Sequence, residues 1–196
     1  MWTSTNRDCG INDENGKEII MNNIHLEKLT WDMVDDVLKL KVSKEQKGFV
    51  APNRDSMIDA YFALTEKKFP VYTFGIYLGE KPVGFLMIGY DVPWAKEYYD
   101  LPRGYYYIWR FMIDNRYQGN GYGEEALKLA IDFIRLLRAG DLNTAGCLMS
   151  RTMRWRESFI CRLGLKKRKN SGKRIRKYPQ YTSCEIRTIP VCRGVR

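Results

Sequence analysis

The feature that most constrains this chain is a strand-like run that ends in a turn containing three glycines at alternate positions. Residues 105–114 are mainly aromatic and β-branched, and Gly119, Gly121 and Gly123 follow, directly before an amphipathic helical pattern. Glycine tolerates positive φ and lets a ligand approach the main chain closely. The N–H groups of such a turn and of the helix N-terminus attract anions. The pattern therefore predicts an anion site suited to a pyrophosphate.

Two familiar phosphate loops do not fit this stretch. The chain has no G-x-x-x-x-G-K-[ST], and Lys128 lies too far along the helix to act as the lysine of such a loop. The spacing G-x-G-x-G also differs from the dinucleotide fingerprint, and no acidic residue follows at the proper distance on a second strand. The turn is therefore of another type.

The rest of the chain up to Arg135 alternates between helical and strand patterns. We predict a first helix capped by Thr30 and a second that begins at Asn53 or Asp55. The second helix would face inward through Ile58, Tyr61, Phe62 and Leu64. The further predictions are strands at Val71–Leu78, Val83–Tyr90 and Tyr105–Asp114, a turn at Gly79–Lys81, and a helix at Gly121–Arg135 with Ala126, Leu127, Ala130, Ile131 and Ile134 on its inner side. This order indicates an α/β fold with an antiparallel sheet in its first half.

The turn resembles the signature of the Gcn5-related N-acetyltransferase (GNAT) family, [QR]-x-x-G-x-[GA], because residues 118–123 match every fixed position. The element order from His25 to Arg135 also resembles the first two-thirds of that fold. The resemblance implies a mixed, largely antiparallel sheet flanked by helices, and acetyl-CoA as cosubstrate. The fourth strand would splay from the fifth and bind the pantetheine arm through its main chain, while the turn would hold the pyrophosphate. By position, the coenzyme-binding residues would be Phe111, Met112, Ile113, Gln118, Gly119, Asn120, Gly121, Tyr122 and Gly123. The alternative is a glycine-rich turn with no ligand.

Two further segments, 46–53 and 107–111, resemble the spermine/spermidine (diamine) acetyltransferase branch of the family. A polyamine is a cation and would suit an acidic cleft. Asp91, Glu97 and Asp100, in the loop before the motif strand, could supply that cleft, although solvated loop acids are the commoner interpretation. Aminoglycosides and small peptide amines also remain open as acceptors.

The family reaction is usually direct attack of a neutral amine on the thioester. It requires a base for the amine proton, a donor for the carbonyl oxygen and an acid for the departing thiolate. The resemblance implies that this acid is a tyrosine in a stretch like N-x-x-A-x-x-L-Y. Residues 136–196 contain no such stretch, so the catalytic residues stay unassigned.

The charge of the chain is concentrated at one end. Of the net +10, residues 1–135 carry 17 basic and 20 acidic residues, a net −3, whereas residues 136–196 carry 16 basic and 3 acidic residues, a net +13. Four of the five cysteines also lie in this tail, in no metal-site spacing. The tail shows neither helix nor strand periodicity, and we expect it to leave one edge of the sheet uncovered.

A shift of reading frame would explain such a tail. Permitted codons for residues 147–166, read from the third base of the first codon, give S-Y-E-P-D-N-E-V-A-R-K-L-Y-L-S-F-G-F-E. That string contains the N-x-x-A-x-x-L-Y pattern that the chain lacks. We therefore interpret residues 21–135 as the N-terminal two-thirds of an acetyltransferase domain. Residues 136–196 would then be a frameshifted basic tail that is not native-like. Residues 1–20 are expected to be a translated leader, because a purine-rich ribosome-binding pattern can be written before Met21.

Two other functions remain open for the chain as written. The basic runs at 166–169 and 173–177 would suit a nucleic-acid-binding protein, a partner that the frameshift makes unlikely. A degenerate acyl-CoA sensor would bind the coenzyme without turnover. The absence of a signal peptide and of a long apolar run indicates a cytoplasmic protein with no membrane partner. We expect no metal, a structural role for His25, a small-molecule amine as substrate, and a homodimer.

Overall fold

The computed structural model describes residues 23–48, 50–66, 69–93, 104 and 106–137, and the main chain of three later strands. Within these ranges the chain forms one mixed sheet and three α-helices. In chain order the elements are β1 Ile24–Lys28, α1 Trp31–Lys39, α2 Asn53–Thr65, β2 Val71–Leu78, β3 Lys81–Tyr90, β4 Tyr106–Ile113, α3 Tyr122–Leu137, β5 Thr144–Ser150, β6 Leu165–Lys167 and β7 Tyr181–Arg187. The predicted α/β class is confirmed.

The sheet has the strand order β1-β2-β3-β4-β5-β7-β6. The first four strands form an antiparallel meander, in which Phe74 pairs with Leu86 and Leu86 pairs with Phe111. β5 then runs parallel to β4, and β7 pairs antiparallel with both β5 and β6. The α3 helix supplies the crossover that a parallel β4–β5 pair requires.

The core lies on both faces of the sheet, because successive side chains of a strand point to opposite faces. Along β3, Phe85 and Met87 contact the cluster formed with α1 and α2. Leu86 and Ile88 contact the cluster formed with α3. The five predicted inner residues of α3 are all buried there, as expected from their helical spacing: Ala126, Leu127, Ala130, Ile131 and Ile134.

The facing of α2 and the capping of α1 differ from the prediction. The apolar side chains expected to face inward from α2 are half or more exposed, at 50% for Ile58 and 61% for Tyr61. The residues that α2 buries are small or polar: Asn53, Ser56, Ala60 and Ala63. In α1, Val37 is buried but Trp31 is 89% exposed, and Thr30 occupies the N-cap without a side-chain hydrogen bond. Small side chains let α2 approach the sheet closely, which its apolar pattern does not reveal.

The tail differs from the prediction as well, since its three strands continue the sheet beyond β4. The expectation that the outer edge of β4 would be uncovered is wrong at residue 107, where Tyr107 pairs with Gly146 of β5. In the part of the chain that the structure describes, no helix is long and apolar enough to cross a membrane.

Candidate functional site

The glycine turn between β4 and α3 has the backbone that an anion site needs. Gly119 and Gly121 adopt φ values of +86° and +82°, which side-chain-bearing residues rarely adopt. A Cβ placed on either glycine would meet no atom within 4 Å, so the turn faces open space. The α3 helix begins directly afterwards at Tyr122. The turn thus has room for a ligand beside the positive end of a 16-residue helix.

Hydrogen bonds in the first turn of α3 decide which donors face that space. The N–H groups of Glu124 and Glu125 both donate to the carbonyl of Gly121, at 2.8 and 3.3 Å. Because the first N–H groups of a helix have no partner within it, those of Tyr122 and Gly123 belong to the set that an anion can accept from. The main chain of the two glutamates therefore closes the first turn of the helix.

β4 contains a bulge in its pairing with β3. Met87 pairs with Arg110 and Ile88 pairs with Ile108, so Trp109 is an extra residue in the ladder. A bulge bends its strand and increases the twist. The described register between β4 and β5 passes through Tyr107 and Gly146, before the bulge, and includes no pair after it. The main chain of residues 111–113 lies after the bulge and after this pair.

The end of β4 is fixed by a buried carboxylate. Asp114 is 2% exposed and accepts hydrogen bonds from Arg116 Nε at 2.8 Å, Arg116 N at 3.0 Å and Lys41 N at 2.8 Å. Burial alone would raise the pKa of Asp114, but these hydrogen bonds and the charge of Arg116 outweigh it and lower the pKa below its ordinary value. Asp114 therefore stays ionised and joins the start of the β4–α3 connection to the main chain of Lys41.

Two of the predicted coenzyme residues use their side chains within the protein. Gln118 Nε2 donates to the Ile113 carbonyl at 2.8 Å and to Gln46 Oε1 at 2.9 Å. Asn120 Nδ2 donates to the carbonyls of Tyr117 and Gln118 at 3.1 and 3.3 Å. Only the main chain of these two residues is therefore placed to meet an anion. Tyr122 packs its ring against the core on the α3 side of the sheet.

The strand residues predicted to bind the coenzyme lie at the edge of a cleft. Phe111, Met112 and Ile113 pair with β3 on one side, and the side chain of Met112 lines a cavity of about 460 Å³. The other walls come from the end of α1, the segment after it and the start of α2: Leu38, Leu40, Lys41, Val42, Lys47, Val50, Ala51, Pro52, Asn53 and Arg54. This cleft adjoins the glycine turn, because Asp114 joins the end of β4 to Lys41.

The charge of the cleft differs from the acidic lining that we expected. Its ionisable lining consists of Lys41, Lys47 and Arg54, with no carboxylate among the described residues. Asp91 follows β3 beside Tyr106, roughly 20 Å along β4 from Met112 at strand spacing. The Asp91 side chain accepts a hydrogen bond from the Gly104 N–H at 2.8 Å, which joins the residue after β3 to a residue just before β4. Glu97 and Asp100 lie outside the described residues.

Several residues that frame the site were missed by the sequence analysis. Asp114 had a usable signal, because an aspartate directly after a strand can cap the turn that follows. Asn53 is 6% exposed and donates from Nδ2 to the Val37 carbonyl at 2.8 Å and to Met112 Sδ at 3.9 Å. Nothing local marks Asn53 or Gln46 as framing residues, because their partners are distant in sequence.

Known proteins resemble this chain in sequence and in fold. A family model described as the acetyltransferase (GNAT) family matches residues 36–153, which include the cleft, β4, the glycine turn and β5. The chain is also similar to the spermine/spermidine N(1)-acetyltransferase of Bacillus subtilis (strain 168). The two are 32% identical over 111 residues, which covers 57% of this chain and 68% of that relative.

Solved structures share the fold at low sequence identity. The PaiA N-acetyltransferase of Thermoplasma acidophilum, in complex with coenzyme A, superposes with a TM-score of 0.54 at 10% identity, covering 84% of this chain and 99% of that one. A GNAT family acetyltransferase of Elizabethkingia anophelis with acetyl-CoA bound gives a TM-score of 0.50 at 12% identity, with coverages of 85% and 99%.

Proposed function

The chain belongs to the acetyltransferase (GNAT) family, and we propose that it acetylates a small amine, with polyamines as the first acceptor class to test. It is an N-acetyltransferase whose cosubstrate is acetyl-CoA. The observation that supports the site assignment is the pair of positive-φ glycines, open to solvent at the N-terminus of α3, directly after a strand that contains a bulge. Such a turn suits a pyrophosphate.

Acetyl-CoA supplies the activated acyl thioester, and the protein positions the two reactants. The main-chain N–H groups of residues 119–123 bind the pyrophosphate, and the main chain of Phe111, Met112 and Ile113 aligns the pantetheine arm beside β4. The amine approaches from the cleft. As its nitrogen bonds to the acyl carbon, the carbon–sulfur bond breaks, the amine loses a proton and the sulfur gains one. Holding both reactants in this geometry supplies much of the rate enhancement.

The polyamine assignment is supported by the name of the Bacillus subtilis relative and by segments 46–53 and 107–111. The basic cleft lining opposes it, because like charges repel across a cleft of low dielectric constant. Substrate charge is therefore the property to measure. An aminoglycoside or a small peptide amine is the comparison acceptor.

Thiol release and product mass should be followed with acetyl-CoA and each acceptor, against a reaction without amine. If spermidine is the acceptor, Lys47→Gln should raise kcat/KM by about two- to fivefold at low salt, and added salt should shrink that gain. A fall in kcat/KM for spermidine would show that Lys47 does not repel this cationic acceptor. If the protein binds the coenzyme but forms no product with any amine, it is an acyl-CoA sensor rather than an enzyme.

We infer separately that residues 136–196, give or take a few, are translated in a shifted frame. The inference is supported by the change of net charge from −3 to +13 across Leu136 and by the tyrosine-bearing string in the shifted frame. Resequencing from the codon for Ala130 to beyond that for Arg196, on independent template, should reveal one base gained or lost. A gene restored in frame should then transfer acetyl groups faster than the chain as printed. An unchanged base sequence means either a broken relative, which should show no acetyl transfer, or a tail with a role of its own, so unchanged bases together with acetyl transfer by the chain as printed would refute the inference.

A further inference from the structure

The segment between α1 and α2 is hydrogen-bonded to the β4–α3 connection at its start and near its middle. At the start, Lys41 N donates to Asp114 and the Lys41 carbonyl accepts from Asn115 N at 2.9 Å. Directly after the segment, Asn53 at the start of α2 contacts Met112 of β4. We call residues 41–52 the α1–α2 loop. It supplies one wall of the cleft, whereas the β4–α3 connection contains the glycine turn.

Two side-chain amides that bond each other join the middle of the α1–α2 loop to the β4–α3 connection. Gln118 Nε2 donates to Gln46 Oε1 at 2.9 Å, and Gln46 Nε2 donates back to Gln118 Oε1 at 3.2 Å. Gln118 Nε2 also donates to the Ile113 carbonyl at 2.8 Å, and Gln46 Oε1 accepts from Ser43 N at 3.4 Å. Both side chains are half-buried. Two side chains thus link the end of β4, the glycine turn and the α1–α2 loop.

We propose that Gln46 and Gln118 are a positioning pair that sets the α1–α2 loop relative to the glycine turn. This inference rests on the proposed function, in which the turn binds acetyl-CoA and the cleft receives the amine. A ligand that orders the turn then also orders the opposite wall of the cleft, because the two share one hydrogen-bonded connection. A loop misplaced by about 1 Å would slow the reaction without contacting the coenzyme.

The side-chain amides of the two glutamines suit a positioning role. Each glutamine carries a donor and an acceptor, so the pair can close two hydrogen bonds with no net charge beside an anion site. Alanine at either position leaves the other amide without its partner. The expected effect of either substitution is therefore similar, and the double substitution should cost little more than one alone.

Hydrogen–deuterium exchange tests the connection without any turnover. In the free protein, Gln118→Ala and Gln46→Ala should each speed amide exchange in residues 41–48 by about three- to tenfold, the effect of one lost hydrogen-bond pair. Lys44→Ala, on the same short turn, is the matched control and should leave the exchange unchanged. Coenzyme A should protect residues 41–48 in the wild type but not in Gln118→Ala.

Kinetics then separates positioning from simple stability. Gln46→Ala should raise the KM for the amine about three- to tenfold while changing the KM for acetyl-CoA less than twofold. The double variant Gln46→Glu with Gln118→Arg replaces the amide pair by an ion pair and should restore most of the loss. A purely structural role would lower the melting temperature and leave both KM values unchanged.

The two proposals fail in different ways. If Gln118→Ala leaves the exchange of residues 41–48 as in the wild type, the positioning pair is refuted whatever the enzyme catalyses. If the wild type binds no coenzyme and releases no thiol, the proposed function falls, while the exchange of the free protein still tests the link between Gln46 and Gln118.

Discussion

Gly119 and Gly121 show how much of the site depends on single residues. Their positive φ values leave the turn open, and no neighbouring atom would clash with a side chain there. An alanine at either position would therefore suffer from its backbone conformation rather than from a collision. Because backbone strain acts there without a steric clash, an alanine substitution in the turn can be matched by one at another glycine of the same kind.

We expect Gly121→Ala to weaken coenzyme A binding about tenfold, measured by titration calorimetry, and to destabilise the fold by about 1–2 kcal/mol. Gly79→Ala is the matched control, because Gly79 also has a positive φ of +57° and open space around it, in the β2–β3 turn. It should cost similar stability and leave binding unchanged. Equal binding by both variants would show that the turn does not hold the coenzyme.

Asp114 should contribute a pH-dependent part of the stability. Its pKa is lowered in the folded protein, so its stabilising effect is present above the unfolded-chain pKa of about 3.9 and is lost as the pH falls through the folded pKa. Asp114→Asn should lose about 2–3 kcal/mol of unfolding free energy at pH 7. Urea unfolding should give the same difference from pH 8 to pH 5 and a smaller one below about pH 4. A difference that grows on acidification would contradict this account.

At the scale of elements, the sequence predicted β2, β3, β4 and α3 well, the facing of α2 badly and the three strands of the tail not at all. The inner residues of α3 repeat at helical spacing, and Val71–Leu78 matches β2 in both of its bounds. The buried residues of α2 also repeat at helical spacing, at positions 53, 56, 60 and 63, but they are small or polar, whereas the larger apolar residues are exposed. An apolar pattern therefore selects the wrong face of this helix, because close approach to the sheet favours small side chains.

The conformation of the glycine turn could be predicted because it is imposed locally by residue type. The framing contacts were not, since Gln46 and Gln118 are 72 residues apart. The bulge at Trp109 likewise depends on the pairing partner in β3 rather than on the sequence of β4. The turn could therefore be predicted, whereas the cleft beside it could not.

A pair of identical substitutions tests the observed facing of the helices. Ile131→Ala in α3 should lower the unfolding free energy by about 2–4 kcal/mol, because Ile131 is 2% exposed and its loss leaves a cavity. Ile58→Ala in α2 should cost less than about 1 kcal/mol, because Ile58 is half exposed. Urea titrations of both variants measure the difference. Equal losses would mean that α2 packs as its apolar pattern suggested.

At the scale of the whole molecule, α2 carries an exposed apolar surface that is a candidate interface between two copies of the chain. Tyr61, Phe62 and Leu64 are 61%, 51% and 53% exposed, and such patches often mark interfaces. The homodimer stays a prediction, and this surface is where we expect it to form. Phe62→Glu should convert a dimer into a monomer in sedimentation velocity runs. Lys81→Gln, an equal charge change at an exposed site on β3, should not. A wild-type monomer would refute the prediction.

The strand order has a consequence for how the molecule is made on the ribosome. All of β1 to β4 and α3 precede residue 138, so the glycine turn and the helix behind it can assemble while the remainder is still being synthesised. β5 can then pair with β4, whereas β6 joins the sheet through β7, which is synthesised after it. A nascent chain stalled before residue 181 would therefore carry a finished glycine turn beside an unfinished sheet.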